Sequence, residues 1–226
     1  MTLLTADLHC HTYRSKDSLL VPGRLLEIAR QRGIDRLGIT DHNCILGALE
    51  AARLDPERVI VGEEIRTAAG ELLAYFMREE VPPGLTPQET IFRLREQGAF
   101  ISIAHPFDGM RGGGWSEATL RDVLPLVDAL EVFNSRTWSA RPNQLASARA
   151  AEAGLLGTAG SDAHAACEIG RAVVRLPPFR DTESLRAALR SAEIRGRRST
   201  PLVHLLSRYA SWRKAAGWHS TMTPEP

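Results

Sequence analysis

Short apolar runs of strand length alternate with longer amphipathic stretches of helix length through most of the chain. Strands are predicted ending at His11, and over 36–40, 59–61, 71–77, 99–104, 130–133, 155–159 and 171–176. Helices are predicted over 22–32, 45–53, 86–98, 116–124, 143–153 and 182–192. The first helix gathers Leu25, Leu26, Ile28 and Ala29 on one side and stops at Gly33, whose backbone freedom suits a helix C-terminus. Thr86-Pro87-Gln88-Glu89 combines an N-cap hydroxyl, a first-turn proline and a capping-box glutamate. Roughly seven strand-helix units result, the pattern of β-α units that build a parallel sheet or barrel. Beyond residue 200, Leu202, Val203, Leu205, Leu206 and Trp212 predict one packed amphipathic helix, and 218–226 carries no pattern. The organisation expected is one barrel over 1–200, followed by a C-terminal helix and tail over 201–226.

Composition narrows the function classes. A chain of 226 residues with 43% hydrophobic content can bury one full α/β core. The net charge of +1 provides no overall basic field, so any nucleic-acid contact would need a local patch. Cys10, Cys44 and Cys167 are widely spaced, without a Cys-x-x-Cys pair, which argues against a disulfide framework or zinc ribbon and for a reducing compartment. With neither a charged leader ahead of an apolar core nor a bilayer-length apolar run, the expected location is the cytoplasm.

Candidate chemistry collects at strand ends. Alternation along Asp7-Leu8-His9-Cys10-His11 is expected to put Asp7, His9 and His11 on one face and Cys10 on the other. Asp41-His42, Glu63-Glu64, His105 and Asp162-Ala163-His164 each follow an apolar strand and offer imidazole or carboxylate ligands. Five of the seven histidines therefore sit where strands pass into loops, and in parallel barrels that rim is where ligands bind. His204 and His219 lie outside every such cluster. Arg14, Arg111 and Arg136 fall in rim loops, and their guanidinium forks suit phosphate oxygens. The stretch Gly109-Met110-Arg111-Gly112-Gly113-Gly114-Trp115 reads either as a mobile lid or as a flexible turn beside a buried tryptophan.

These motifs together resemble those of the PHP (polymerase and histidinol phosphatase) family, in order. They are Asp7-Leu8-His9-Cys10-His11-Thr12, Thr40-Asp41-His42-Asn43, Gly62-Glu63-Glu64, His105-Pro106 and Gly160-Ser161-Asp162-Ala163-His164. Phe107-Asp108, Glu131-Val132-Phe133-Asn134-Ser135-Arg136 and Glu168-Ile169-Gly170 resemble the short stand-alone members more than the polymerase-attached branch. The resemblance, from about residue 4 to 200, implies a distorted seven-stranded (β/α)7 barrel, TIM-barrel-like, with two or three divalent metal ions that hydrolyse phosphoesters. Carried over by position, His9, His11, Glu64 and Asp162 hold the first metal. Glu64 bridges to a second bound by His105, while Asp17, His42 and His164 hold a third. Glu64, His105, Asp162 and His164 would then be the catalytic group, with a metal-activated hydroxide attacking phosphorus. His42 or His164 is a candidate for positioning the water that protonates the leaving group. Asp7 and Asp41 are cast as carboxylates orienting the imidazoles, or alternatively as caps and turn residues.

Two positions depart from the family pattern. Where many members carry histidine after the bridging glutamate, this chain has Glu71, a candidate extra ligand that would favour manganese, magnesium or iron over zinc. Asp17 stands where some members have histidine. The substrate expected is a phosphorylated small molecule or a short oligonucleotide, with no membrane or obligatory protein partner. Amidohydrolases also open with His-x-His, but many bridge their metals with a late strand-end lysine, and the only lysines here are Lys16 and Lys214. A non-catalytic metal-binding module is the other alternative.

Overall fold

The structure is a computed structural model that describes residues 2–109 and 114–218. Among the described residues nine strands form one sheet in the order β7-β6-β5-β4-β3-β2-β1-β8-β9. They are β1 (Leu4–Cys10), β2 (Arg36–Ile39), β3 (Val59–Arg66), β4 (Glu71–Tyr75), β5 (Phe100–Ile103), β6 (Ala129–Asn134), β7 (Leu156–Gly160), β8 (Ala172–Leu176) and β9 (Glu193–Gly196). Helices α1 (Pro22–Gln31), α2 (Leu46–Leu54), α3 (Pro87–Glu96), α4 (Glu117–Val123), α5 (Arg141–Ala153) and α6 (Thr182–Leu189) connect or cover them, and α7 (Val203–Ala215) follows. The fold is α/β and barrel-like, as the pattern of alternation predicts.

The seven-stranded expectation needs two corrections. β3 and β4 form an antiparallel hairpin without an intervening helix, and β4 also runs antiparallel to β5. β8 returns antiparallel to β1 and is extended by β9, a short strand with no apolar run to announce it. The sheet is nearly closed. At the seam the end of β1 meets the loop after β7, where the His11 amide donates to the Ala163 carbonyl at 2.9 Å and Cys10 and Ala163 form an isolated parallel bridge.

Sequence explains the local choices. Leu25, Leu26, Ile28 and Ala29 bury one side of α1, each large side chain contributing roughly 1.5–3 kcal/mol. At α3 the Thr86 hydroxyl accepts the Glu89 amide at 3.2 Å, a cap with a typical effect of about 1 kcal/mol. Glu89 does not reach back to complete a capping box; its carboxylate pairs one turn on with Arg93 at 2.8 Å.

The sheet's inner cluster includes Ala6, Leu8, Leu73, Tyr75, Phe100 and Val174, and Leu185, Ala188 and Leu189 of α6 pack against it. Outer clusters lie beneath α1 and α2 and beneath α3 to α5. Among the described residues no helix is long and apolar enough to cross a membrane.

One irregularity positions the site. Asp7 pairs with Leu37 and Cys10 with Ile39, so β1 advances three residues while β2 advances two, a β-bulge. The carbonyl of Leu8 accepts the Tyr75 hydroxyl at 2.9 Å. It also crowds Gly38 so closely that a Cβ there would lie 2.7 Å from it, which requires glycine.

Candidate metal centre

The bulge corrects the expected alternation. Leu8 belongs to the inner cluster and Cys10 to an outer one. His9 and His11 both aim Nε2 at one point, 3.1 Å apart. Asp7 instead lies with the Cys10 thiol, away from the imidazoles. Its carboxylate accepts the amides of Ser161 at 2.9 Å and Gly170 at 2.8 Å, which fixes the loop carrying Asp162 and His164. Asp7 thus orients a loop, not an imidazole.

Four donor atoms converge at the barrel mouth. Glu64 Oε2 lies 3.4 Å from both His9 Nε2 and His11 Nε2. Asp162 Oδ1 lies 3.8 and 3.3 Å from the same nitrogens. A tetrahedron of ligands about 2.0–2.1 Å from a cation has edges of about 3.3–3.4 Å, close to the separations of each carboxylate from the two imidazoles. The other Glu64 oxygen, Oε1, is 2.9 Å from His105 Nε2, which in turn is 3.7 Å from Glu71 Oε2. Glu64 therefore faces two positions at once. On the far side, Asp17 spans His42 Nε2 at 3.7 Å and His164 Nε2 at 3.3 Å, while His42 Nδ1 stands 2.9 Å from Glu64 Oε2. The structure thus brings all eight expected ligands, and Glu71, into one cluster.

Electrostatics divide the imidazoles. Burial, reinforced by repulsion from His164 and His42, holds His11 well below the ordinary imidazole range and keeps it neutral. Burial also opposes a charge on His9, but Glu131, Asp162 and Glu64 outweigh it and raise its pKa well above the usual value. His42 is pushed up to about 9, its burial overcome by Glu64 and Asp17. Glu64 stays ionised despite burial because His9, His42 and His105 surround it. Glu63 faces the other way, accepts the Val81 amide at 3.1 Å, and is pushed up to about 8 by burial and by Glu80.

The supporting groups differ from those expected. Glu131, which sequence reasoning left without a role, accepts from His9 Nδ1 at 2.9 Å through Oε1 and from the His105 amide at 2.9 Å through Oε2. Its signal was a carboxylate inside the apolar run of β6. Asp41 acts on His11 through Ser15: the Ser15 hydroxyl is 2.6 Å from Asp41 Oδ1 and 3.0 Å from His11 Nδ1. Two ligands sit in left-handed backbone, His105 at φ 24° and Asp162 at φ 53°. Such strain costs about 1–3 kcal/mol per residue and concentrates at functional sites.

A cavity of about 520 Å³ opens over the cluster, lined by Asp17, His42, Glu71, His105 and His164 with Arg14, Lys16, Arg66 and Arg208 around it. Arg14 is at this mouth, paired to Glu50. Arg136, expected to meet substrate, also lines this cavity, though it is 4% exposed and its guanidinium packs against His164, Glu168 and Ser207. Arg111 lies outside the described residues. Trp115 packs over Gly70 and lines a side cavity of about 280 Å³ beside His105. Arg66, at the end of β3, borders both cavities and was not singled out from the sequence. Neither lysine enters the ligand cluster: Lys16 lines the mouth, and Lys214 donates to the Tyr13 and Ser15 carbonyls.

A family profile described as PHP-associated matches residues 140–194. Two uncharacterized proteins of Methanocaldococcus jannaschii align with most of the chain. MJ0417 is 38% identical over 175 residues, covering 76% of this chain and 70% of its own. MJ1587 is 36% identical over 146 residues, covering 58% and 82%. Among solved structures the fold is similar to a Bacteroides vulgatus two-domain protein containing a "predicted PHP-like metal-dependent phosphoesterase" (TM-score 0.72, 19% identity, 87% of this chain and 65% of that one). It is similar also to PsfC from Pseudomonas syringae (0.69, 18%, 96% and 100%). A third likeness is to the lesion-specific endonuclease PfuEndoQ of Pyrococcus furiosus (0.58, 17%, 85% and 58%).

Proposed function

The chain belongs to the PHP (polymerase and histidinol phosphatase) family, and from that premise we propose that it is a metal-dependent phosphoesterase. The observation that carries the reading is the convergence of Glu64 and Asp162 on the His9 and His11 nitrogens, which lie 3.1 Å apart and 3.3–3.8 Å from the two carboxylates, with the second Glu64 oxygen turned to His105. These residues, with Asp17, His42 and His164, would hold two or three divalent ions, which would supply Lewis acidity and lower the pKa of a water for attack on phosphorus. Manganese, zinc or iron suits this mixture of imidazole and carboxylate, and Glu71 beside His105 adds a hard oxygen donor that also admits magnesium.

The protein's own groups divide the remaining work. Glu64 and Asp162 offset cationic charge in a buried site, while neutral His11 presents a lone pair without first losing a proton. Arg14, Lys16, Arg66 and Arg208 ring the mouth and attract an anionic ester, with guanidinium forks matched to its phosphate oxygens. A cavity of about 520 Å³ suits a small phosphomonoester. A second reading, removal of nucleotides from the end of a short oligonucleotide, draws on the same basic rim.

Product analysis with manganese-loaded protein tests these readings. Phosphate release from monoesters alone identifies a small-molecule phosphatase; mononucleotides released from short RNA or DNA identify an exonuclease. Asp162→Asn should abolish turnover while keeping the fold. A folded Asp162→Asn variant with full turnover would overturn the assignment, as would hydrolysis of amides alone, the amidohydrolase alternative. Absence of any turnover in metal-replete protein would favour the non-catalytic module.

A further inference from the structure

Helix α7 lies beyond the barrel's last strand, and its burial is slight. Its buried side chains are Val203, Ser207 and Ala210. Leu202, Leu205, Tyr209 and Trp212 on its outer side are half or more exposed. Apolar contact with so few small groups gives α7 little anchorage, yet polar ties join it to the site on two sides.

The first tie runs through Ser207. Its hydroxyl accepts from Arg136 Nη2 at 2.8 Å and Arg136 Nε lies 3.3 Å from Glu168 Oε1, while His164 Nδ1 stands 2.9 Å from the Asp162 carbonyl, an acceptor that leaves Nε2 its lone pair. Glu168 Oε2 accepts the His164 amide at 3.1 Å and the Ala165 amide at 3.0 Å, so the backbone of His164 is held from this direction. The second tie is Lys214, whose ammonium donates to the carbonyls of Tyr13 and Ser15 in the loop that carries Asp17. Between the two ties, Asp17 Oδ2 and His164 Nε2 stand 3.3 Å apart. Asp17 Oδ1 and His164 Nε2 are buried atoms without a hydrogen-bond partner among the described residues, the condition of groups that await a cation.

We propose that α7 is an integral part of the Asp17, His42 and His164 position, with Ser207 and Lys214 acting as positioning residues that hold His164 and the Asp17 loop at cation-binding separation. The inference rests on the reading of that trio as a metal site. It gives the C-terminal helix a role in how many ions the barrel retains. Ser207 works through Arg136 and Glu168 on the His164 backbone, and Lys214 works through the backbone on the carboxylate.

The test is Mn²⁺ binding to the full chain by equilibrium dialysis with elemental analysis, for wild type, Ser207→Ala, Lys214→Met, Lys214→Arg and Trp212→Ala. Loss of an outer partner of a metal ligand typically weakens affinity 10–100-fold. The expected result is a loss of about tenfold or more in the weakest class of ions in Ser207→Ala and Lys214→Met, with the tighter class unchanged. Lys214→Arg restores the weak class, and Trp212→Ala, on the outer face of the same helix, leaves it intact. Should Lys214→Met fail to fold, Ser207→Ala carries the test. An unchanged weak class in a folded Ser207→Ala or Lys214→Met protein would overturn the inference and leave the site reading standing. A wild-type titration indifferent to Asp17→Asn would overturn that reading and the inference together.

Discussion

His9 and Glu131 form a fully buried pair, Nδ1 to Oε1 at 2.9 Å, which directs the histidine's other nitrogen toward the ligand cluster. A carboxylate behind a ligating imidazole fixes its tautomer and raises its basicity. Replacing Glu131 with Gln keeps the shape and removes the charge. Mn²⁺ affinity measured by calorimetry should fall about 10–100-fold, with far-ultraviolet circular dichroism unchanged. Undiminished affinity would mean that His9 needs no such partner.

Metal removal should destabilise the fold. The Nε2 atoms of His9 and His11 lie 3.1 Å apart and within 3.8 Å of both Glu64 Oε2 and Asp162 Oδ1 in a buried space, and an ion is the group that reconciles them. A ligand present at 100 times its Kd contributes about 2.7 kcal/mol. A chelator should therefore lower the melting temperature by several degrees, and stoichiometric Mn²⁺ should restore it. A midpoint indifferent to chelation would rule out tight binding.

Stability should also fall with rising pH because of Glu63. Its pKa is pushed from 4.5 up to about 8 in the folded chain. Between those values the folded state binds the proton and the unfolded state does not. The contribution is fully present below about pH 4.5, is lost as pH rises through 8, and is on the order of a few kcal/mol. Glu63→Gln should flatten this part of the pH profile and melt higher than wild type at pH 9. Parallel wild-type and variant profiles would show that Glu63 is ionised in the fold.

Gly160 is a fourth test. A Cβ at this position would meet the His9 Cβ at 2.2 Å and the His9 amide nitrogen at 2.7 Å. Gly160→Ala must push β7 from β1, and overpacking of this kind costs typically 1–3 kcal/mol. Urea denaturation should report that loss, with a larger relative loss of metal affinity because Asp162 moves too. Wild-type stability would show that the strands part freely here.

The residues that make the cluster were legible because each closes an apolar run, and a strand end is readable from hydrophobicity. What lay behind them was less so. Asp7 was misplaced because alternation assumes a regular strand, and a bulge inserts a residue without altering composition. Glu131 carried no spacing signature, only its presence in an apolar strand. Arg136 read as a rim cation for a substrate phosphate because Glu168 and Ser207, which bury it, lie far along the chain. The directions of β4 and β8 depend on loop geometry and on pairing partners, which a local pattern does not encode. β9, Glu193–Gly196, is too short and polar to stand out.

The seam of the barrel also sets an order of events in time. His9 and His11 leave the ribosome first, Glu64 follows, and Asp162 comes last; the neighbours Cys10 and Ser161 that meet across the seam are 151 positions apart. At about 5–20 residues per second, roughly 8–30 s of translation separate the two edges. Until the second edge emerges, the nascent chain holds two histidines and a carboxylate with no fourth ligand. The complete set of His9, His11, Glu64 and Asp162 is therefore assembled late in biogenesis, when the barrel's edges join.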